Sequence, residues 1–182
     1  MLKSLLNKLK ELLILLRSLL IKPSHKKDYI AFREALGQRE SGGDYRAVNP
    51  YGYLGKYQFG MARLCDLGYT ERKPGTTGYS NANFIWKNGY SKEWFLTSPK
   101  QQDEIFYKHC QLLKKRIVEE FNDYLGVVTV LGISITLSGL IAGAHLGGIG
   151  GIRNFVLHGA DSLDANGTRI SQYIKEFGDY DI

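Results

Sequence analysis

A long stretch without charge constrains the fold of this chain more than any other feature. It runs from Tyr124 to Ile152, with His145 counted as neutral, and it contains eight glycines. A membrane-spanning helix can have this composition, and so can a helix that is buried on all sides in a globular core. Gly139 and Gly143 would allow a neighbouring element to pack closely on such a helix. We therefore predict a buried core helix here, at the centre of a mainly α domain.

Length and composition limit what surrounds this helix. The chain has 182 residues, of which 43% are apolar and 23% are charged, as is typical of one globular domain with at most an appendage. These values exclude wholesale disorder, a collagen and a polytopic membrane protein. Two cysteines, Cys65 and Cys110, are too few for a disulfide scaffold or a cysteine-rich zinc module. We expect buried free thiols, with a single disulfide as the alternative.

The positive charge is concentrated at one end of the chain. The formal net charge is +6, and residues 1–27 contain seven basic residues and one acidic residue. Residues 28–182 contain 17 basic and 17 acidic residues, so the body has no charge surplus from which to build a basic groove. We therefore expect no nucleic-acid partner and assign the positive charge to the N-terminal segment.

Residues 1–22 predict a separate, amphipathic and cationic helix. Nine of the ten leucines fall on one face at 100° per residue, and most of the polar residues fall on the other face, which Ile14 and Leu15 interrupt. The charge-free run Leu12–Leu16 is too short for the apolar part of a signal peptide, so no clear export signal is visible. Three interpretations stay open: packing on the body or on a second copy, contact with an anionic membrane surface, and a degenerate export signal. Residues 23–27 form a linker, and the domain occupies residues 28–182.

The body predicts several further elements. Helices are expected at Asp28–Gln38, Met61–Leu67, Pro99–Phe121 and Arg169–Phe177. The longest of these should begin after Ser98, an N-cap residue that is followed by proline. The connections are expected to be an ordered loop at residues 44–60, a polar turn at Thr70–Gly78, short aromatic helices or turns at Asn81–Trp86 and Ser91–Phe95, and a turn at residues 166–168.

The segment from Glu40 to Gln58 carries the pattern that points to chemistry. A carboxylate stands at the end of a predicted helix, and a loop rich in glycine and tyrosine follows and ends in Gln58. A single carboxyl group on a rigid element can protonate a leaving oxygen when apolar walls raise its pKa. The loop would then offer aromatic faces and amides to a polar substrate. The pattern therefore predicts general acid catalysis.

This segment resembles the first motif of the soluble lytic transglycosylases and goose-type lysozymes, which belong to the lysozyme-like superfamily. In that group a Glu-Ser pair is followed, eighteen residues after the Glu, by a Gln. The positions that match in register and without a gap are Glu40, Ser41, Ala47, Val48, Pro50, Gly52, Gly55 and Gln58. A later segment, Ala144–Gly150, is similar to the third motif of the group in its glycines. There His145 replaces the usual Tyr, and Leu146 replaces the usual Asn.

The resemblance implies an α+β, lysozyme-like fold: a helical bundle around the core helix, a catalytic cleft, and a loop-rich lobe after the catalytic Glu. It implies that Glu40 is the catalytic acid and base, and that Ser41, Gln58, Tyr57 and His145 bind substrate. No cofactor is implied, and the four histidines show no metal-ligand spacing. The implied partner is the peptidoglycan glycan strand, which places the protein in the cell envelope, in the periplasm or outside the cell.

The number of carboxylates bears on the reaction. Most glycosidases use a pair of carboxylates about 5–10 Å apart, and the nearest acidic residue after Glu40 is Asp44, whose direction Gly42 and Gly43 leave undetermined. Lytic transglycosylases resemble one-carboxylate enzymes, because the C6 hydroxyl of the substrate attacks C1 and leaves a 1,6-anhydro sugar. We therefore expect cleavage of the β-1,4 bond between N-acetylmuramic acid and N-acetylglucosamine by a lytic transglycosylase. The alternatives are a hydrolysing lysozyme and a non-catalytic protein that acts on cell walls or membranes.

Overall fold

The computed structural model describes residues 27–164 and 166–182, and this part of the chain is mainly α, as predicted. The prediction for residues 1–22, and the linker as far as residue 26, lie outside the described residues. The helices are α1 (Tyr29–Ser41), α2 (Met61–Asp66), α3 (Lys92–Leu96), α4 (Pro99–Phe121), α5 (Leu137–His158) and α6 (Ile170–Glu176). The strands form two antiparallel pairs, β1 (Thr70–Arg72) with β2 (Phe84–Trp86), and β3 (Thr129–Val130) with β4 (Ile133–Ser134).

Local sequence sets the ends of the long helices. α1 begins after Asp28, whose carboxylate accepts a hydrogen bond from the Ala31 N–H at 2.9 Å. It continues past its predicted end and stops at Gly42, which has a φ of 69° and donates its N–H to the Gln38 carbonyl. α4 spans its predicted range, although the Ser98 side chain makes no capping hydrogen bond. The end of α1 matters most, because it positions Glu40.

α4 supplies the central row of core side chains. Its buried residues recur every three or four positions, which is the spacing of one helix face: Gln102, Ile105, Phe106, His109, Cys110, Leu113, Ile117 and Phe121. Phe32 of α1 packs its ring between Phe106 and Phe177, with centroid distances of 6.3 and 5.8 Å. Both cysteines are free thiols, and the thiol of Cys110 is buried. The core therefore lies between α1, α4 and the helices that follow.

The charge-free stretch forms the predicted core helix only in its second half. α5 begins at Leu137, and every residue of Ser138–Ala144 is buried; α5 packs against α4 and α6. Residues 124–136 form a turn and the β3–β4 hairpin instead, because Gly126 and Gly132 adopt positive φ and the β-branched residues around them favour strands. Among the described residues, α5 is the one helix long and apolar enough to cross a membrane.

The close packing that the sequence predicts at Gly139 and Gly143 is present. A Cβ atom on Gly139 would lie 2.6 Å from the Ile174 carbonyl oxygen, and one on Gly143 would lie 2.8 Å from the Ile174 side chain. The helical path of α5 is interrupted at Gly148, which has a φ of 69° and a ψ of 175°. Glycine therefore allows α6 to lie directly on the first half of α5.

Two short segments differ from their predicted structure. Residues 84–86 form β2 rather than a helix or turn, and β1 occupies the start of the predicted polar turn, with Thr70 opposite Trp86. The run Phe84-Ile85-Trp86 consists of β-branched and aromatic residues, which suit a strand once a partner is present. α2 and α6 lie within the ranges predicted for them.

Candidate functional site

A cleft of about 450 Å³ opens beside the C-terminal end of α1. Its lining residues come from α1 (Glu40), from the loop after α1 (Asn49, Pro50, Tyr51, Tyr53 and Gln58), from α5 (His145 and Leu146) and from the loop before α6 (Asp164 and Asn166). The structure thus brings together Glu40, Gln58 and His145, which the two sequence motifs single out. Ser41 and Tyr57 do not line the cleft.

Glu40 is held at the cleft by a residue far away in the sequence. Its side chain is 13% exposed, and its Oε1 atom accepts a hydrogen bond from the Tyr173 hydroxyl at 2.8 Å. Burial, and then the charge of Glu40, raise the pKa of Tyr173, so this hydroxyl remains a donor at neutral pH. No described residue makes a hydrogen bond to Oε2. One carboxyl oxygen is therefore fixed, and the other is available to a ligand.

The loop that carries Gln58 is fixed to α4 by the buried side chain of Gln102. Its Oε1 accepts the Lys56 N–H at 2.9 Å, and its Nε2 donates to the carbonyls of Tyr45 and Phe95, both at 2.8 Å. Gly55 makes this approach possible, because a Cβ atom there would lie 2.2 Å from Gln102 Oε1. The loop ends at the cleft with Gln58, whose backbone has a φ of 46°.

The side-chain amide of Gln58, which lines the cleft, is hydrogen-bonded to the described protein through its nitrogen and not through its oxygen. Nε2 donates to the carbonyl of Gly55 at 2.9 Å, and no described residue hydrogen-bonds to Oε1. An amide with its N–H₂ group engaged and its oxygen free accepts hydrogen bonds from N–H or O–H groups. Gln58 is therefore set up as an acceptor for a ligand.

The resemblance implies that Tyr57 binds substrate, but the structure places its side chain in the core. The ring is fully buried, stacks on Phe106 at a centroid distance of 4.1 Å, and donates its hydroxyl to Asp103 at 2.6 Å. Burial, and then the hydrogen bond to Asp103, raise the pKa of Tyr57. A ring with a satisfied hydroxyl gains more from the core than from the cleft surface. Only the carbonyl of Tyr57 takes part in the site.

Ser41 also has a different role from the one expected. Its hydroxyl donates to the Lys56 carbonyl at 2.8 Å, so it ties the end of α1 to the loop instead of contacting the cleft. Lys56 itself is 3% exposed, and its ammonium donates to Glu34 at 2.6 Å and to the Tyr45 hydroxyl at 3.2 Å. Burial disfavours the charged form, yet these two hydrogen bonds raise the pKa of Lys56. These contacts therefore join α1, which carries Glu40, to the loop that carries Gln58.

His145 lies in the cleft wall, but both of its ring nitrogens are engaged inside the protein. Nε2 lies 3.0 Å from the Tyr57 carbonyl, and Nδ1 lies 3.0 Å from Nε2 of His109. Burial lowers the pKa of His145, against the opposing effects of Glu40 and the Tyr57 carbonyl. Burial, and then His145, lower the pKa of His109 well below its usual value. Burial therefore favours the neutral form of both rings, and both nitrogens of His145 already have partners inside the protein.

Sequence reasoning missed several residues of this region, among them Tyr173, His109 and Asp164. Tyr173 and His109 lie in helices whose pattern was recognised, but no local signal marks either side chain as part of a site. Asp164 precedes the predicted turn at residues 166–168, and its Oδ1 accepts the N–H groups of Asn166 and Thr168 at 2.9 and 2.7 Å. The acid named from the sequence, Asp44, lies outside the cleft, where its carboxylate accepts the Arg46 N–H at 2.7 Å.

The chemistry of the site follows from these groups. Within residues 27–164 and 166–182, no cluster of three or more His, Cys, Asp or Glu side chains could hold a metal ion. Comparison with protein-family models, curated proteins and solved structures finds no match to this chain.

A half-buried carboxyl group with one free oxygen, beside a free amide oxygen and two tyrosine faces, can bind a hydroxyl-rich ligand and give it a proton.

Proposed function

We propose that this chain is a lysozyme-like enzyme that cleaves peptidoglycan glycan strands at the β-1,4 bond between N-acetylmuramic acid and N-acetylglucosamine. The observation that carries the proposal is the state of Glu40, which is 13% exposed, fixed at Oε1 by Tyr173, and without a described partner at Oε2. The proposal includes the lysozyme-like character of the fold around this cleft. It also implies that the protein acts in the cell envelope, in the periplasm or outside the cell, because its substrate lies there.

The walls of the cleft suit a polymer of amino sugars. Tyr51 and Tyr53 are 55% and 43% exposed, and their faces offer apolar contact to a sugar ring. Gln58 Oε1 accepts a hydrogen bond of the kind that an N-acetyl N–H group donates. Asp164 and Asn166 add polar groups to the lining of the cleft. Apolar faces with a few fixed polar groups are the usual composition of a small-molecule or oligosaccharide site.

A lytic transglycosylase needs only one carboxyl group. Glu40 gives its proton to the glycosidic oxygen while the bond from that oxygen to C1 breaks. The resulting carboxylate then accepts the proton of the C6 hydroxyl as the C6 oxygen bonds to C1. The product is a 1,6-anhydro-N-acetylmuramic acid end, no water is consumed, and Glu40 regains its proton. Tyr173 keeps the carboxyl group in place through both steps.

A hydrolysing lysozyme is the second candidate, and Asp164 favours it. This carboxylate lines the same cleft as Glu40 and is oriented by two backbone N–H groups. In a hydrolase, a second carboxylate acts as a nucleophile or places a water molecule at C1. Asp164 replaces Asp44 as the residue on which this alternative depends.

Mass spectrometry of the products separates the two reactions. Purified peptidoglycan would be digested in water enriched in ¹⁸O. We expect products one water lighter than hydrolysed fragments, with no reducing end and no label, and we expect Asp164→Asn and Asp44→Asn to keep most of the activity. Labelled reducing ends, with Asp164→Asn inactive and Asp44→Asn active, would establish the hydrolase. Intact glycan after incubation with the wild-type protein would contradict both.

A further inference from the structure

Two histidines from different helices meet behind the cleft. His109 of α4 and His145 of α5 have ring centroids 5.1 Å apart and planes at 68°. His109 is 1% exposed, and the side chain of His145 is 7% exposed. The rings of Phe59 and Phe106 lie 5.4 to 6.4 Å from the two imidazoles and from each other. The pair is therefore enclosed in an apolar part of the core.

The hydrogen bonds of the pair can run in only one direction when both rings are neutral. The Tyr57 carbonyl only accepts, so Nε2 of His145 must carry the proton of that ring. Nδ1 of His145 is then bare and accepts from Nε2–H of His109. This leaves Nδ1 of His109 without a proton, and that atom has no hydrogen-bond partner among the described residues. The chain of donors therefore runs from His109 through His145 to the Tyr57 carbonyl.

The charged and titratable groups around the pair come from three other elements. Glu40 of α1 lies 3.8 Å from Nε2 of His145 and is bonded to Tyr173 of α6. Arg63 of α2, paired with Asp66 at 3.0 Å, opposes a positive charge on either ring. The charge of Glu40 and the hydrogen bond to the Tyr57 carbonyl are the two influences that favour an imidazolium at His145.

A proton on Nδ1 of His145 would disturb the pair. Nε2 of His109 would then have to accept a hydrogen bond, so the proton of the His109 ring would have to move from Nε2 to Nδ1 of that ring. That atom has no described acceptor, and a buried donor without an acceptor is costly. The position of His109 thus opposes the charge that Glu40 would favour.

We propose that His109 is a positioning residue, whose Nε2–H occupies Nδ1 of His145 and so holds His145 uncharged and in a single tautomer beside Glu40. The same series of hydrogen bonds holds the carbonyl of Tyr57, the residue immediately before Gln58. The consequence for catalysis rests on the proposed function. A general acid must carry its proton, and an imidazolium at His145 would place a positive charge 3.8 Å from the Glu40 carboxyl group.

The tautomers can be measured directly in the full-length wild-type protein. Long-range ¹H–¹⁵N spectra of the histidine rings at about pH 7 would show which nitrogens carry protons, with the exposed His158 as a reference. We expect both His109 and His145 to be neutral and protonated at Nε2. A cationic His145, or a proton on Nδ1 of His145, would overturn the proposal. This measurement needs no variant.

His109→Met and Leu113→Met form a matched pair of variants for the role of His109. Both residues are buried on the same face of α4, but only His109 donates to His145. We expect the titration midpoint of His145 to rise by about one pH unit in His109→Met and to stay unchanged in Leu113→Met. A rise of this size corresponds to the free energy of one hydrogen bond that the neutral ring loses. Equal midpoints in the two variants would show that His109 only fills space.

The spectra need no substrate, which separates this proposal from the enzymatic one. If the wild-type protein leaves peptidoglycan intact but shows the expected tautomers and the shifted midpoint in His109→Met, the proposed function fails and the role of His109 stands. If glycan is cleaved but the midpoint does not move, the proposed function stands and the role of His109 fails. If the protein cleaves glycan, activity can be followed as the pH is lowered. His109→Met should then lose its activity at a higher pH than Leu113→Met does.

Discussion

Glu40 combines two properties that a surface carboxylate lacks. It stands on the last turn of a helix whose end is fixed by Gly42, and one of its oxygens is bound by a tyrosine from the other end of the chain. The first property comes from the local sequence and the second from the packing of α6. We expect Glu40→Gln to fold normally and to lose glycan cleavage by about 10²–10⁴-fold, the usual contribution of a general acid. Clearing of a peptidoglycan suspension measures the loss. Clearing by Glu40→Gln at the wild-type rate would exclude Glu40 as the catalytic acid.

Tyr173 should matter to the reaction through its hydroxyl and not through its ring. Tyr173→Phe keeps the buried ring and removes the donor at 2.8 Å from Glu40 Oε1. We expect cleavage to fall by roughly tenfold, since the loss of one such hydrogen bond costs about 1.4 kcal/mol.

Tyr29→Phe is the matched control for this change. The Tyr29 hydroxyl is buried and has no partner among the described residues, and Tyr29 does not line the cleft. Cleavage by this variant should equal that of the wild type. Equal rates for Tyr173→Phe and Tyr29→Phe would show that Glu40 does not depend on its tyrosine partner.

The loop after α1 depends on one close approach to α4. Gly55 has a φ of 71°, and a Cβ atom there would collide with Gln102, which holds the loop. We expect Gly55→Ala to lower the free energy of unfolding by about 2–4 kcal/mol, through positive-φ strain together with the loss of buried hydrogen bonds. Urea unfolding followed by circular dichroism would measure the change.

Gly126→Ala isolates the contribution of the backbone angle. Gly126 has almost the same φ, 72°, but a Cβ atom there would meet nothing within 4 Å. Its cost should be about 1 kcal/mol, from strain alone. If the two variants unfold at the same urea concentration, the contact between Gly55 and Gln102 does not hold the loop.

The stability of the whole molecule should decrease in mild acid because of the two buried imidazoles. The pKa of His109 and the pKa of His145 are both lowered by burial, so below about pH 6.5 the unfolded chain binds protons that the folded chain does not. The free energy of unfolding should therefore fall from pH 7 to about pH 5, by up to about 1.4 kcal/mol per pH unit for each imidazole. Urea unfolding at several pH values measures this slope, and His109→Met should remove at least half of it. An unchanged slope would mean that His109 is protonated in the folded protein.

The N-terminal segment accounts for the net charge of the whole molecule, and its role can be tested apart from the cleft. Residues 1–27 account for the entire net charge of +6, and the described domain begins where Lys27 pairs with Tyr180. We expect deletion of residues 1–22 to leave cleavage of purified peptidoglycan unchanged and to weaken binding to anionic vesicles. Added salt should weaken the binding of the full-length protein, because exposed charges are screened. Undiminished vesicle binding by the truncated protein would favour a structural role for the segment.

The sequence by itself determined the features that depend on neighbouring residues. The start of α4 at Pro99 and the presence of a core helix within the charge-free stretch both follow from local chemistry: a proline at the first turn, and a long run of residues without charge. The spacing from Glu40 to Gln58 also singled out two residues that the structure places in one cleft.

Tertiary structure alone decided which other side chains join that cleft. Tyr57 lies next to Gln58 in the sequence but points into the core, because its hydroxyl finds Asp103 on α4. Tyr173 reaches Glu40 only because Gly139 lets α6 lie against α5. His109 and His145 meet through the packing of two helices. Such contacts depend on how helices are placed relative to one another, and a pattern with a period of three or four residues fixes which face of a helix is buried but not which residue of another helix it meets.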